Sequence, residues 1–233
     1  MDWSGRGGEA LPLDLPLWVA FDAPLRRPVR PSAVRVVDSE GRELGPFRLE
    51  VRGRMLLLHP ELPTHPDLAD GSLPPSTEAA ILLAGVPQFQ AVAGADGRLL
   101  VGTRRLPFFT ASADQPEALS GSPPGAGPLW LVGLDEERVL WLPGGGEAPP
   151  RIRFDGPLDP RTLVRPARLV SADGAESEAP MRLVSNSPEG AVVELGLGHW
   201  SGRGVLEFPE GIQGAGGRPL AASLRRVRVW RPR

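Results

Sequence analysis

The chain has 233 residues, which is room for one large domain or two small ones. With 41% hydrophobic and 23% charged residues it has an ordinary globular balance, which excludes wholesale disorder. A net charge of -2 excludes a strongly basic nucleic-acid binder or a polyanion, and no run of about 18 apolar residues offers a membrane-spanning helix.

The first residues, MDWSGRGGEALPLDL, lack a basic segment followed by an apolar one and are not a signal peptide. Beyond them, 29 Gly and 28 Pro punctuate short apolar runs, a pattern of strands and turns and not of a helical bundle. Residues 18–21 form a short apolar run. Residues 33–37 set Val34 and Val36 against Arg35, the period of two of a half-buried strand. Residues 47–51 place Phe47, Leu49 and Val51 on one face, and 54–59 read as a central strand. A Pro-rich loop is expected over 59–77, followed by strands at 79–83 and 106–110. Residues 111–128, ASADQPEALSGSPPGAGP, have the composition of a mobile tether. Residues 128–143 read as two short strands about the acidic turn of Asp135, Glu136 and Glu137, and GGGEAPP follows as a loop. Further strands are expected at 152–154, 167–170, 181–185, 191–195, 204–208 and 224–230. No segment sustains a helical period. Trp18, Phe21, Phe47 and Phe108 are the candidate core of the first half, and Phe154, Phe208 and Trp230 of the second, with Trp230 in an inward slot.

The two halves repeat. VAFDAPLRRPVRPSAVRVVDSEGRE (19–43) and IRFDGPLDPRTLVRPARLVSADGAE (152–176) share F-D-[AG]-P-L, V-R-P, an alternating strand and an acidic Gly turn. Phe21 matches Phe154, Pro24 matches Pro157 and Pro31 matches Pro166. AGADGRLLVGTRRLPFF (93–109) likewise matches QGAGGRPLAASLRRVRVW (213–230), each with G-R-x-L before a last strand. Similarity at so long a spacing means two copies of one domain. The expected fold is all-β, two tandem immunoglobulin-like sandwiches over 10–111 and 129–233 joined by a linker over 112–128.

These motifs resemble the bacterial Ig-like domain of the S-layer-protein (SbsA) type. The carriers are Val19–Leu25 and Ile152–Asp159, and the late segment Gly211–Leu220 with its counterpart from Gly85–Val86 to Gly97–Leu100. The likeness covers most of the chain, and the second copy fits better. It implies a spacer in an exported bacterial surface protein or lipoprotein, and so a chain that starts after a removed signal; cytoplasmic residence is the alternative. The motif residues have framework jobs: the Phe enters the core, the Pro ends pairing.

Several chemistries are excluded by absence. Without Cys there is no disulfide, thiolate metal site or Cys nucleophile, and all 26 basic residues are Arg, which excludes Schiff-base and P-loop Lys chemistry. Of the three histidines, His59 and His65 share one loop with Asp67 and Asp70, where a weak metal site is conceivable, but solvated loop histidines are the plainer reading. Asp135, Glu136 and Glu137 read as a solvated turn, Ser120–Gly121–Ser122 is no nucleophile elbow, and Gly211–Gly217 opens no helix. The basic run Arg225, Arg226, Arg228, Arg231 and Arg233 reads as edge protection and not as a nucleic-acid footprint. Of six Trp, Trp130, Trp141 and Trp200 lie outside the candidate core, and exposed Trp is a tool of sugar binding. Trp200, beside His199, is the most suggestive.

The expected function is therefore a non-enzymatic spacer or protein-interaction module of the cell envelope, in the periplasm or at the cell surface. A carbohydrate-binding module using Trp200 and His199 is the alternative. No catalytic residue, metal or cofactor is expected. The expected partner is an unidentified protein or cell-surface component, with no nucleic acid and no membrane insertion, and the chain is expected to be a monomer.

Overall fold

A computed structural model describes residues 1–120, 127–144 and 149–232. Among them every regular element is a β-strand or a short 3-10 turn. The chain divides into two compact units, Met1–Leu62 with Ala69–Ser120, and Pro63–Leu68 with Gly121–Arg233.

In the first unit, a four-stranded sheet runs Asp2–Trp3, Leu17–Ala20, Met55–Pro60, Phe47–Arg52. A five-stranded sheet runs Ala10–Leu11, Arg104–Thr110, Glu78–Leu83, Val34–Asp38, Glu43–Leu44. The second unit repeats both orders. Its four-stranded sheet is Leu131–Val132, Arg151–Phe154, Gly190–Leu195, Met181–Ser187. Its five-stranded sheet is Val139–Trp141, Arg226–Arg231, Gly202–Glu207, Ala167–Ser171, Glu176–Ala179. In each unit the first strand of the larger sheet lies parallel to the last, Ala10 beside Phe109 and Val139 beside Arg228. The remaining pairs of named strands are antiparallel. The fold is all-β, two sandwich units, as the alternating strands and Gly/Pro turns predict.

The sequence repeat is a structural one. Asp38 and Ser171 head equivalent turns, closed by Gly41 and Gly174 at φ 84° and 85°, a left-handed conformation that glycine adopts without a Cβ clash. The G-R segments form equivalent brackets, with Gly94 N donating to Arg98 O at 2.8 Å and Gly214 N to Arg218 O at 2.7 Å. Each bracket is bridged to its F-D-x-P-L strand end, Leu25 with Gly94 and Leu158 with Gly214. One sequence match fails. Counting from the paired motifs, the counterpart of Pro31 is Val164, not Pro166. Pro31 opens the 3-10 turn Pro31–Ala33, whereas the turn of the second unit is Pro160–Thr162 and Pro166 only precedes its strand.

Phe108, Phe154 and Phe208 are buried, the last two edge-to-face with centroids 6.2 Å apart. Trp18, Phe21, Phe47 and Trp230 are only half-buried. In Leu17–Ala20 the inward slots belong to Leu17 and Val19, so alternation turns Trp18 outward. In Arg226–Arg231 they belong to Val227 and Val229, which puts Trp230 on the outer face with Arg228. Two loops also differ from expectation. The Pro-rich loop buries Leu62 and Leu73. The expected linker begins as packed chain: Ala118 and Leu119 are buried, Ala118 O accepts from Leu13 N at 2.8 Å, and Ser120 N donates to Asp14 Oδ1 at 2.9 Å. Residues 121–126 of that linker and 145–148 of the GGGEAPP loop lie outside the described residues.

Candidate functional site

The outer face of the five-stranded sheet in the second unit carries an apolar patch at the end where Val139–Trp141 joins it. Alternation inserts Leu140, Val227, Val229, Leu169 and Leu206 into the core. It sends Val139, Trp141, Trp230, Val205 and Val170 the other way. Register brings Trp141 beside Trp230 and Val205 beside Arg228. The two indoles meet edge to face, centroids 4.5 Å apart at 67°. Trp141 keeps 58% of its surface exposed. Together with the turn that follows Leu134, this face encloses a groove of about 820 Å³.

Charged groups rim the groove and one of them builds it. Asp135 Oδ1 accepts from Val139 N at 2.8 Å and Asp135 Oδ2 accepts from Trp141 Nε1 at 2.7 Å. The Trp141 hydrogen bond first, and the Val139 amide second, hold the Asp135 carboxyl below the usual carboxylate range. That is the reverse of the raised pKa a general acid requires. The Arg228 guanidinium donates to the carbonyl of Glu137, closing the turn from the opposite side. Arg203 stands exposed at the far rim. The groove thus offers two indoles, two guanidiniums and a short acidic turn. It presents donors and acceptors around an apolar floor.

Trp200 and His199 are not part of an aromatic platform. Gly204 occupies an inward position, and a Cβ there would stand 3.0 Å from Trp200 Cζ2 and 2.8 Å from Val170 O. Trp200 fills the space that the missing side chain leaves. It packs half-buried on the core and donates from Nε1 to Ser171 Oγ at 2.9 Å. His199 beside it is exposed. The pair that does share a groove is Trp141 with Trp230. Only the outward turn of Trp230 had a signal in the sequence, because Val227 and Val229 fix the inward face of its strand; its contact with Trp141 had none.

The other candidates resolve locally. His59 Nε2 lies 2.9 Å from Glu50 Oε2, and His65 Nδ1 lies 2.9 Å from Asp67 Oδ1. Among the described residues, no group of three or more His, Asp or Glu gathers as metal ligands. The basic C-terminal run is tied down locally, two of its arginines by carboxylates. Arg226 pairs with Glu207 and Arg225 with Glu210, both at 2.9 Å. Buried Arg231 donates to Pro143 O, Gly198 O and Trp200 O. Arg233 lies outside the described residues. Among the described residues no helix is long and apolar enough to cross a membrane.

No family model and no curated protein matches the chain. Among solved structures it is similar to the crystal structure of native alpha-2-macroglobulin from Escherichia coli spanning domains MG0-NIE-MG1. The two are 12% identical over 99% of this chain and 70% of that one, with a TM-score of 0.42. A likeness at that level carries no inference about function.

Proposed function

We propose that this chain is a non-enzymatic interaction module of an exported bacterial envelope protein, and that its second unit grips a carbohydrate through the Trp141–Trp230 groove. Export and envelope placement rest on the resemblance of the F-D-x-P-L and G-R-x-L framework to the S-layer type of Ig-like domain. The single observation that carries the binding role is the exposed Trp141 ring, oriented by Asp135 over an apolar floor. A spacer needs no such recess, because leaving an indole in water forgoes the gain of burying it. A pyranose would set its C–H face on the indoles and its hydroxyls on the Arg203, Arg228 and Glu137 rim.

The test is a glycan array followed by tryptophan fluorescence titration of the glycans it selects. Saturable quenching lost in Trp141→Ala, with an unchanged unfolding midpoint, is the expected result. Quenching that persists in Trp141→Ala but vanishes in Trp200→Phe would move the site back to Trp200. No saturable quenching by any glycan would reject the groove as a sugar site and leave a spacer.

A further inference from the structure

The first unit carries a second concavity, of about 380 Å³, between the segment after its F-D-A-P-L motif and the loop that precedes Val92. Arg26, Arg27 and Arg30 line it, and among the described residues none of the three guanidiniums has an ion-pair or hydrogen-bond partner. No carboxylate lines it. Phe89 stands on its rim with 93% of its surface exposed. Gln90 also lines it, and Gln90 Oε1 is buried without a hydrogen-bond partner, a condition shared by no other side-chain atom among the described residues. A buried acceptor left unpaired is destabilising. Such a cost is offset when a ligand supplies the donor.

The second unit serves as an internal control. The counterpart of Arg26 there is Asp159, which accepts from the Arg161 guanidinium at 2.8 Å and from Arg161 N at 3.0 Å. That corner neutralises itself. Its facing loop, Pro209 to Ile212, is shorter than the one from Ala84 to Val92 and carries neither a Phe nor a Gln at this place. In the first copy the carboxylate is replaced by arginines, and the lengthened loop adds an aromatic ring and an unpaired amide oxygen.

We infer that this pocket binds a monosaccharide-sized hydroxylated anion, a sugar bearing a carboxylate or a phosphate. The arginines match the anionic group, since a guanidinium forks onto planar or tetrahedral oxyanions. A turn of the Gln90 side chain, which lines the cavity, lets its amide oxygen accept from a sugar hydroxyl. Phe89 covers the apolar face of the ring. The volume suits one small ligand. With a net charge of -2 the chain has no long-range pull on an extended polyanion, which favours a small acid over a nucleic acid. The pocket is independent of the Trp groove, and either site can fail without the other.

Isothermal titration calorimetry on the full chain tests the inference with glucuronate, glucose 6-phosphate, glucose, inorganic phosphate and an oligothymidylate. Glucuronate or glucose 6-phosphate should bind saturably, and the tighter of the two identifies the anionic group. Arg27→Ala/Arg30→Ala should weaken that binding at least tenfold, and Gln90→Leu should weaken it severalfold while leaving weak phosphate binding unchanged. Because the arginines are exposed, unfolding midpoints should not move. Trp141→Ala should change nothing at this site. Failure of both sugar acids to bind, equal binding of glucose, binding of phosphate as tight as that of the sugar acids, or tighter binding of the oligothymidylate would each overturn the proposal.

Discussion

Trp141 Nε1 and Asp135 Oδ2 are 2.7 Å apart, and this hydrogen bond joins the most exposed ring of the groove to the turn that forms its rim. The same carboxylate also receives Val139 N, so one residue fixes both the strand entry and the indole. An exposed indole on a sheet face otherwise samples several rotamers.

Removing the acceptor should release the ring. Asp135→Ala is expected to shift tryptophan emission to the red and to weaken any glycan bound in the groove by roughly tenfold, as loss of a charge-assisted bond does. Acid should do the same to the native chain. The folded carboxyl titrates below its usual value of 3.8, so the bond contributes fully above that value and is lost as pH falls through the lower folded pKa. A fluorescence titration should therefore be flat down to about pH 4 and change below it, and Asp135→Ala should lack the step. A step near neutral pH would contradict the assignment.

Gly190 begins the strand Gly190–Leu195 at φ 148°, and a Cβ there would lie 2.5 Å from Phe154 O. Both the conformation and the neighbouring backbone exclude a side chain. Gly190→Ala should destabilise the second unit by about 1–3 kcal/mol, read as a lower urea midpoint at unchanged slope. An unchanged midpoint would mean that the hairpin relaxes at no cost.

Trp200 should behave as a packing residue. Trp200→Ala is expected to cost roughly 2–3 kcal/mol, less than the 3–5 kcal/mol of a fully buried aromatic. Gly204→Ala should also destabilise, because its Cβ and the Trp200 ring need the same space. Urea denaturation of the two single variants and the double one should show that they are not additive. Additive effects would separate the two residues.

Much of this fold was legible in the chain. Apolar alternation places the central strands of both units but not the short outer ones Asp2–Trp3, Ala10–Leu11, Glu43–Leu44 and Glu176–Ala179, and F-D-x-P-L with G-R-x-L marks the duplication because both motifs form backbone brackets that need Pro, Gly and their neighbours. The aromatic faces were less legible. Trp18 and Trp230 attract a core assignment by size, yet a strand with two aliphatic residues in its inward slots has none left for an aromatic. The Trp141–Trp230 pair depends on a parallel contact between strands far apart in sequence, which no local pattern reports. The order of residues 112–120 was hidden by composition: a Ser/Gly/Pro/Ala segment reads as tether, but Leu119 is enough to anchor it.

The two copies should not be equally sensitive at equivalent positions. Phe154 is fully buried against Phe208, whereas its counterpart Phe21 lies just beyond the strand Leu17–Ala20 and is half-buried. Phe154→Ala removes a whole ring from a closed core and should cost about 3–5 kcal/mol. Phe21→Ala removes a ring already partly in water and should cost about 1–2 kcal/mol, in proportion to the area it buries. Denaturation of each variant, followed by near-ultraviolet circular dichroism, should show the larger loss in Phe154→Ala. Equal losses would mean that Phe21 closes the core of its unit as completely as Phe154 does.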